Sequence, residues 1–134
     1  MTDLTDQIQT SERYGQIRFH IEERNENRVV SRMPVMDGIR NPFGTIQAGA
    51  LIWLADVTAS VLVLEGSSID ETGKGFPLAV DIHTVLMGNQ RDGEIQAESG
   101  YVRKGKTLSV VRTRITGTDG KLLAEVTSTH LAAS

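Results

Sequence analysis

Asp56 is the residue whose type and setting ask most directly for a chemical role. It lies in Ala48–Leu64, a stretch apolar on nearly every side, in which it is the sole ionisable side chain. Such a pattern reads as a helix buried all round. Spacings of three, four and seven bring Gly49, Trp53, Asp56 and Ser60 onto one stripe, so the acid shares its face with a small residue, an aromatic and a hydroxyl. Burying a carboxylate costs on the order of several kcal/mol unless it is paired or faces a wet cleft. No Lys, Arg or His lies within a turn of Asp56. A cleft or a subunit interface explains it most simply, and makes it a candidate reacting group; an Asp that hydrogen-bonds a neighbouring loop is the structural alternative.

Two further groups carry polar or charged side chains at close spacing. Ahead of the helix runs the turn-rich loop Asn41-Pro-Phe-Gly-Thr-Ile-Gln47, and later Arg103, Lys104 and Lys106 surround Gly105 as a compact basic turn followed by Thr107. Asp81 and His83 stand two apart, which puts them on one face of a strand, a pattern commoner on an outer face or in a core hydrogen bond than in a site. His20 and His130 have no ligand spacing with His83, so no metal site is expected.

The elements that must position these residues follow from the pattern of the chain. Thr2–Tyr14 is polar with weak helical character; Ile17, Phe19 and Ile21 alternate with polar residues, Asn25-Glu-Asn27 marks a turn, and Val29, Ser31, Met33 and Val35 resume the alternation. This predicts a hairpin, with Pro34 placing its second strand at a sheet edge. After the helix, residues 66–75 read as a surface connection. Leu78–Met87, Glu94–Arg103, Thr107–Gly117 and Lys121–Leu131 are strand candidates, separated by Asp92-Gly93, Gly105 and Asp119-Gly120. One long apolar helix among antiparallel strands implies an α+β fold in which a curved sheet, built as a meander, wraps the helix.

The 134 residues suit a single domain, 1–134, with residues 1–15 as a polar N-terminal segment. A net charge of −3, with no basic block, argues against nucleic acid as the main partner. The chain has no cysteine, hence no disulfide framework and no thiol chemistry, which suits the cytoplasm. No signal peptide is read, and the apolar run is too short to span a membrane, so no membrane partner is expected.

With loop and helix in place, the chain resembles the hotdog-fold acyl-CoA thioesterases, and within them the branch that includes the phenylacetate-degradation thioesterases. That family carries an Asn, a Gly, a His-Gly-Gly at the helix start and an Asp or Glu nine residues after the His; Asn41, Gly44, Gly49 and Asp56 match, while Gln47 and Ala48 replace the His and the first Gly. The likeness runs from about Gln16 to Leu131 and includes the strand with Asp81 and His83 and the meander with Gly105-Lys106-Thr107.

The resemblance implies a hotdog fold and hydrolysis of an acyl-CoA thioester to a carboxylic acid and free coenzyme A, with no cofactor beyond the coenzyme A of the substrate. It further implies self-association as a dimer or dimer of dimers, each site drawing Asp56 from one chain and Asn41, Gln47 and Ala48 from the other. The backbone N–H at the helix start would polarise the thioester carbonyl, a role Ala48 retains. Asp56 would be the general base for water or a nucleophile. Gln47 would orient the thioester or a water, or else fix the loop, but cannot shuttle a proton as His can. Ser60 would hold the water or Asp56, or bond back to its own helix. Asn41 would position the carbonyl or fix its turn. Gly49 and Trp53 would meet the substrate, Trp53 also being a packing residue; Arg103, Lys104 and Lys106 would meet coenzyme A or form a solvated hairpin tip, and Thr107 would meet it or be simply a strand residue. The missing His leaves a rival, a non-catalytic acyl-CoA or acyl-ligand binding protein. A hotdog dehydratase or hydratase is disfavoured because the expected His is absent.

Overall fold

The computed structural model of the chain describes Asp6, residues 14–65 and residues 69–132. The segment Thr2–Tyr14 read as weakly helical lies outside these apart from its Asp6 and Tyr14, as do residues 66–68 of the expected surface connection.

Six strands and one long helix make up the fold: β1 (His20–Arg24), β2 (Arg28–Pro34), α1 (Ala48–Leu64), β3 (Pro77–Leu86), β4 (Glu94–Arg103), β5 (Leu108–Thr116) and β6 (Leu122–Ala132). All strand pairings are antiparallel, in the order β1-β2-β4-β5-β6-β3. The hairpin expected before the helix is β1–β2, closed by Asn25, whose side-chain oxygen accepts from the backbone N–H groups of Asn27 and Arg28 at 2.8 and 3.0 Å. Alternating side chains send Ile95, Ala97, Val111, Ile115, Ala124 and Val126 inward, while Glu98, Arg112, Arg114 and Glu125 line the outer face or the sheet's margin.

Two expectations need correction. The later strands are not a simple meander: β4, β5 and β6 are, but β3 crosses to the far edge and pairs with β6. Nor does Pro34 mark an edge strand, for β2 is interior and Pro34 is its last residue, opposite Glu94 at the start of β4. The ladder stops there, so the donor that proline lacks is hardly missed.

The concave face of the sheet holds α1. Ala50, Leu51, Leu54, Ala55, Thr58, Ala59 and Leu62 are buried against it. The helix is not buried all round within one chain, because a single sheet covers only one side of a cylinder. Ile52, Asp56, Val57, Ser60, Val61 and Leu64 are half-buried, and Ala48, Gly49 and Trp53 exposed. The free edge strand also leaves apolar residues uncovered: Leu78, Val80, Ile82, Val85 and Leu86 are 40–56% exposed, alongside Asp81 and His83.

Candidate active site

The loop entering the helix is fixed by amide side chains. Asn41 Oδ1 accepts from the N–H groups of Phe43 and Thr45, and its Nδ2 donates to Thr45 Oγ1 at 2.8 Å, so these contacts of the side chain stay within the loop. Gly44 turns the loop at φ +85°, a conformation costly for any residue with a Cβ. Asn89, which the sequence did not single out, clamps the loop from the far side: its Oδ1 accepts from Ile46 N at 2.9 Å and its Nδ2 donates to Ile46 O at 2.9 Å.

Gln47 is the N-cap of α1, yet its side chain caps nothing; Nε2 donates to Arg40 O at 3.0 Å and reaches Gly38 O at 3.5 Å. Its carbonyl accepts from Ala50 N and Leu51 N. That leaves the N–H groups of Ala48 and Gly49 as the first orphan donors of the helix, at an exposed end where the helix dipole favours negative charge. Around Gly49 there is open space: a Cβ there would meet no atom within 4 Å.

Asp56 lines a cleft of about 420 Å³ with Val57, Ser60, Val61, Leu64 and residues 76–79. Among the described residues no cation pairs with it. The cleft is predominantly apolar, and Ser60 brings a hydroxyl to it one helical turn beyond the acid. Trp53, 38% exposed, stands edge-on to Phe19 with ring centroids 5.8 Å apart. Asp56 and Ala48 are eight residues apart on one helix, about 12 Å along its axis at 1.5 Å per residue. One chain therefore cannot bring both to the same carbonyl group.

A second cavity of about 430 Å³ opens at the β4–β5 turn, lined by Lys104, Gly105, Lys106 and Thr107 at its mouth and by Tyr101, Ser109 and His130 more deeply. Lys104 Nζ lies 5.5 Å above the Tyr101 ring, a cation–π contact. Gly105 allows the turn to close, since a Cβ there would stand 2.2 Å from Leu108 O. Arg103 is exposed and is not among the residues lining this cavity. Asp81 and His83 are exposed on β3 and are not among the residues lining either cavity. Among the described residues there is no cluster of three or more potential metal ligands. His130, set aside in the sequence for want of ligand spacing, is the buried titratable group of this region; burial pushes its imidazole below the ordinary range, and the Asp56 charge acts in the opposite sense.

A curved antiparallel sheet cradling one long helix, with an acid at mid-helix, defines a hotdog-fold protein. Solved structures bear this out. A mutant of a thioesterase from Staphylococcus aureus superimposes with a TM-score of 0.80 at 26% identity, covering 87% of this chain and 93% of that one. A thioesterase from Haemophilus influenzae gives 0.77 at 21% identity, with 87% and 78% covered. A hypothetical thioesterase from Streptococcus pneumoniae, solved with coenzyme A, gives 0.77 at 19% identity, with 87% of each chain covered. No family model matches the sequence, and no curated protein does. No helix among the described residues is long and apolar enough to cross a membrane.

Proposed function

We propose that the chain is an acyl-CoA thioesterase that works as a dimer or dimer of dimers, hydrolysing its substrate to a carboxylic acid and free coenzyme A. The observation that carries this reading is Asp56: a half-buried carboxylate, without a cationic partner among the described residues, looking into an apolar cleft. Its separation from the helix start supports a site shared between two copies, with Asp56 from one and the N–H groups of Ala48 and Gly49 from the other. The uncovered side of α1 and the apolar free edge of β3 supply the surfaces such an assembly would bury.

In this reading a water molecule attacks the thioester carbon and passes a proton to Asp56, while the charge growing on the carbonyl oxygen is held by the helix-start amides of the second copy. The C–S bond then breaks, and the leaving thiolate recovers the proton from Asp56. Attack by the carboxylate itself, through an anhydride that water then opens, gives the same products. Ser60, which lines the same cleft, holds the water in this reading. Gln47 and Asn41 keep the loop, and thus the amides, in place. Trp53 and Gly49 border the acyl end, and the cationic mouth formed by Lys104 and Lys106, with Thr107 beside them and Arg103 outside it, receives the phosphates of coenzyme A. The absence of cysteine supports a cytoplasmic setting.

One observation favours a second reading. The Gln47 amide is engaged with Arg40 and Gly38, and the helix start offers no titratable group, as in a protein that binds acyl-CoA without cleaving it. Thiol release from short, medium, long and aromatic acyl-CoAs, with and without Asp56→Ala, separates the two. Turnover lost with fold and binding retained supports the enzyme; binding with no turnover from any substrate supports the binder.

A further inference from the structure

The segment that leads into α1 is bonded partly to itself, through Asn41 to Thr45 and through Gln47 to Arg40 and Gly38. Its ties to a distant part of the sequence come from the connection between β3 and β4. Asn89 grips Ile46 at both backbone groups, its Oδ1 accepting from the N–H and its Nδ2 donating to the carbonyl oxygen, each at 2.9 Å. Two residues on, Arg91 Nη1 donates to Phe43 O at 2.7 Å, and the Arg91 carbonyl oxygen accepts from Arg40 Nε at 3.1 Å.

The connection that offers these groups is itself braced against the sheet. The N–H groups of Met87 and Gly88 donate to Leu123 O of β6 at 2.8 and 3.0 Å, and Gly93 O accepts from Val35 N, just past the end of β2, at 2.9 Å. Gln90 Oε1 accepts from Thr118 N at 3.0 Å, while its Nε2 donates to Asp92 O at 2.8 Å. Asn89 Oδ1 also accepts from Gln90 N at 2.8 Å, which fixes the orientation of the amide. Ile46 stands two residues before Ala48, whose N–H is the first orphan donor of the helix. Its side chain is buried, but burial alone holds a position; a two-pronged hydrogen bond to the backbone also sets its direction.

We propose that Asn89 is a positioning residue for the reaction: through Ile46 it ties the start of α1 to the sheet and so aims the N–H groups of Ala48 and Gly49 at the oxygen of the thioester carbonyl. The proposal rests on the thioesterase reading. Asn89 touches neither substrate nor reacting atoms in this role. Donors that stabilise a growing oxyanion act only when they are aligned before the charge develops, and a displacement of about 1 Å at such a site can cost on the order of a hundredfold in rate.

The test compares kcat, KM, urea midpoint and amide NMR spectra of the unmodified protein, Asn89→Ala and Asn25→Ala. Asn25 is the control, an amide that likewise accepts from two backbone N–H groups, but in the β1–β2 turn. Asn89→Ala is expected to lower kcat about tenfold with KM within about twofold, and to move the amide signals of Ala48 and Gly49. Asn25→Ala is expected to lower the urea midpoint and leave kcat unchanged. An unchanged kcat in folded Asn89→Ala overturns the proposal, as do unmoved Ala48 and Gly49 signals. So does an equal fall in kcat in Asn25→Ala, which would reduce Asn89 to a residue of general stability. If Asn89→Ala fails to fold, Arg91→Gln takes its place, with the loss of the bond to Phe43 O expected to lower kcat in the same way. Absence of turnover in the unmodified protein counts against the thioesterase reading itself, while the amide signals still decide whether Asn89 sets the helix start.

Discussion

Gln47 Nε2 donates to the carbonyl oxygen of Arg40 at 3.0 Å, tying the residue that begins the helix to the loop folded over it. Gln47→Ala removes that bond and the longer one to Gly38. A stability loss of about 1 kcal/mol is expected, read as a lower urea midpoint. Turnover should fall as well, since the loop sets where the amides of Ala48 and Gly49 point.

Lys104 and Lys106 flank the turn at the mouth of the second cavity. If they meet the phosphates of coenzyme A, replacing both by Glu raises KM about tenfold, on the order of 1.4 kcal/mol, and leaves kcat nearly unchanged. Added salt should raise KM in the unmodified protein and have less effect in the variant. Steady-state kinetics at two ionic strengths checks both effects.

Acid should weaken the fold through His130. The unfolded ring takes a proton near its ordinary value of 6.5, while burial keeps the folded ring neutral to lower pH. Between those points the unfolded chain binds more protons, so stability is full above the unfolded value and is lost as pH falls toward the folded one. His130→Gln should flatten this decline, seen as urea midpoints compared near neutrality and in mild acid. The paired Arg28 and Glu98 act in a lower window: hydrogen bonding to Arg28 holds the Glu98 carboxyl below its ordinary range, and that contribution goes only when the carboxylate is protonated.

Local periodicity made most elements legible in the sequence. The helix Ala48–Leu64 and the strand Glu94–Arg103 have the expected bounds, since an apolar run broken by one charge and a run opened by Asp92-Gly93 announce themselves locally. Strand order was not legible: that β3 leaves α1 for the edge beyond β6 depends on contacts far apart in the chain, and Pro34 misled because a strand's last residue and an edge look alike in one dimension. In the site region, Asp56 stood out as a charge in an apolar run. Asn89 and His130 did not, because an amide clamping a distant loop and an imidazole facing inward have no local signature.

The central claim, that one site is completed by two copies of the chain, is tested most directly by mixing two inactive variants. Asp56→Ala removes the acid. Ala48→Pro removes the first helix-start N–H at a position where proline is well tolerated, and Gln47 before it already has the extended backbone that proline requires, φ −63° and ψ 139°. After the two are unfolded and refolded together in equal amounts, half the dimers pair one of each, and each of these holds one intact site. Roughly a quarter of the unmodified activity is then expected to return. Thiol release from the mixture no greater than from either variant alone, with mixed dimers demonstrated, would contradict a shared site.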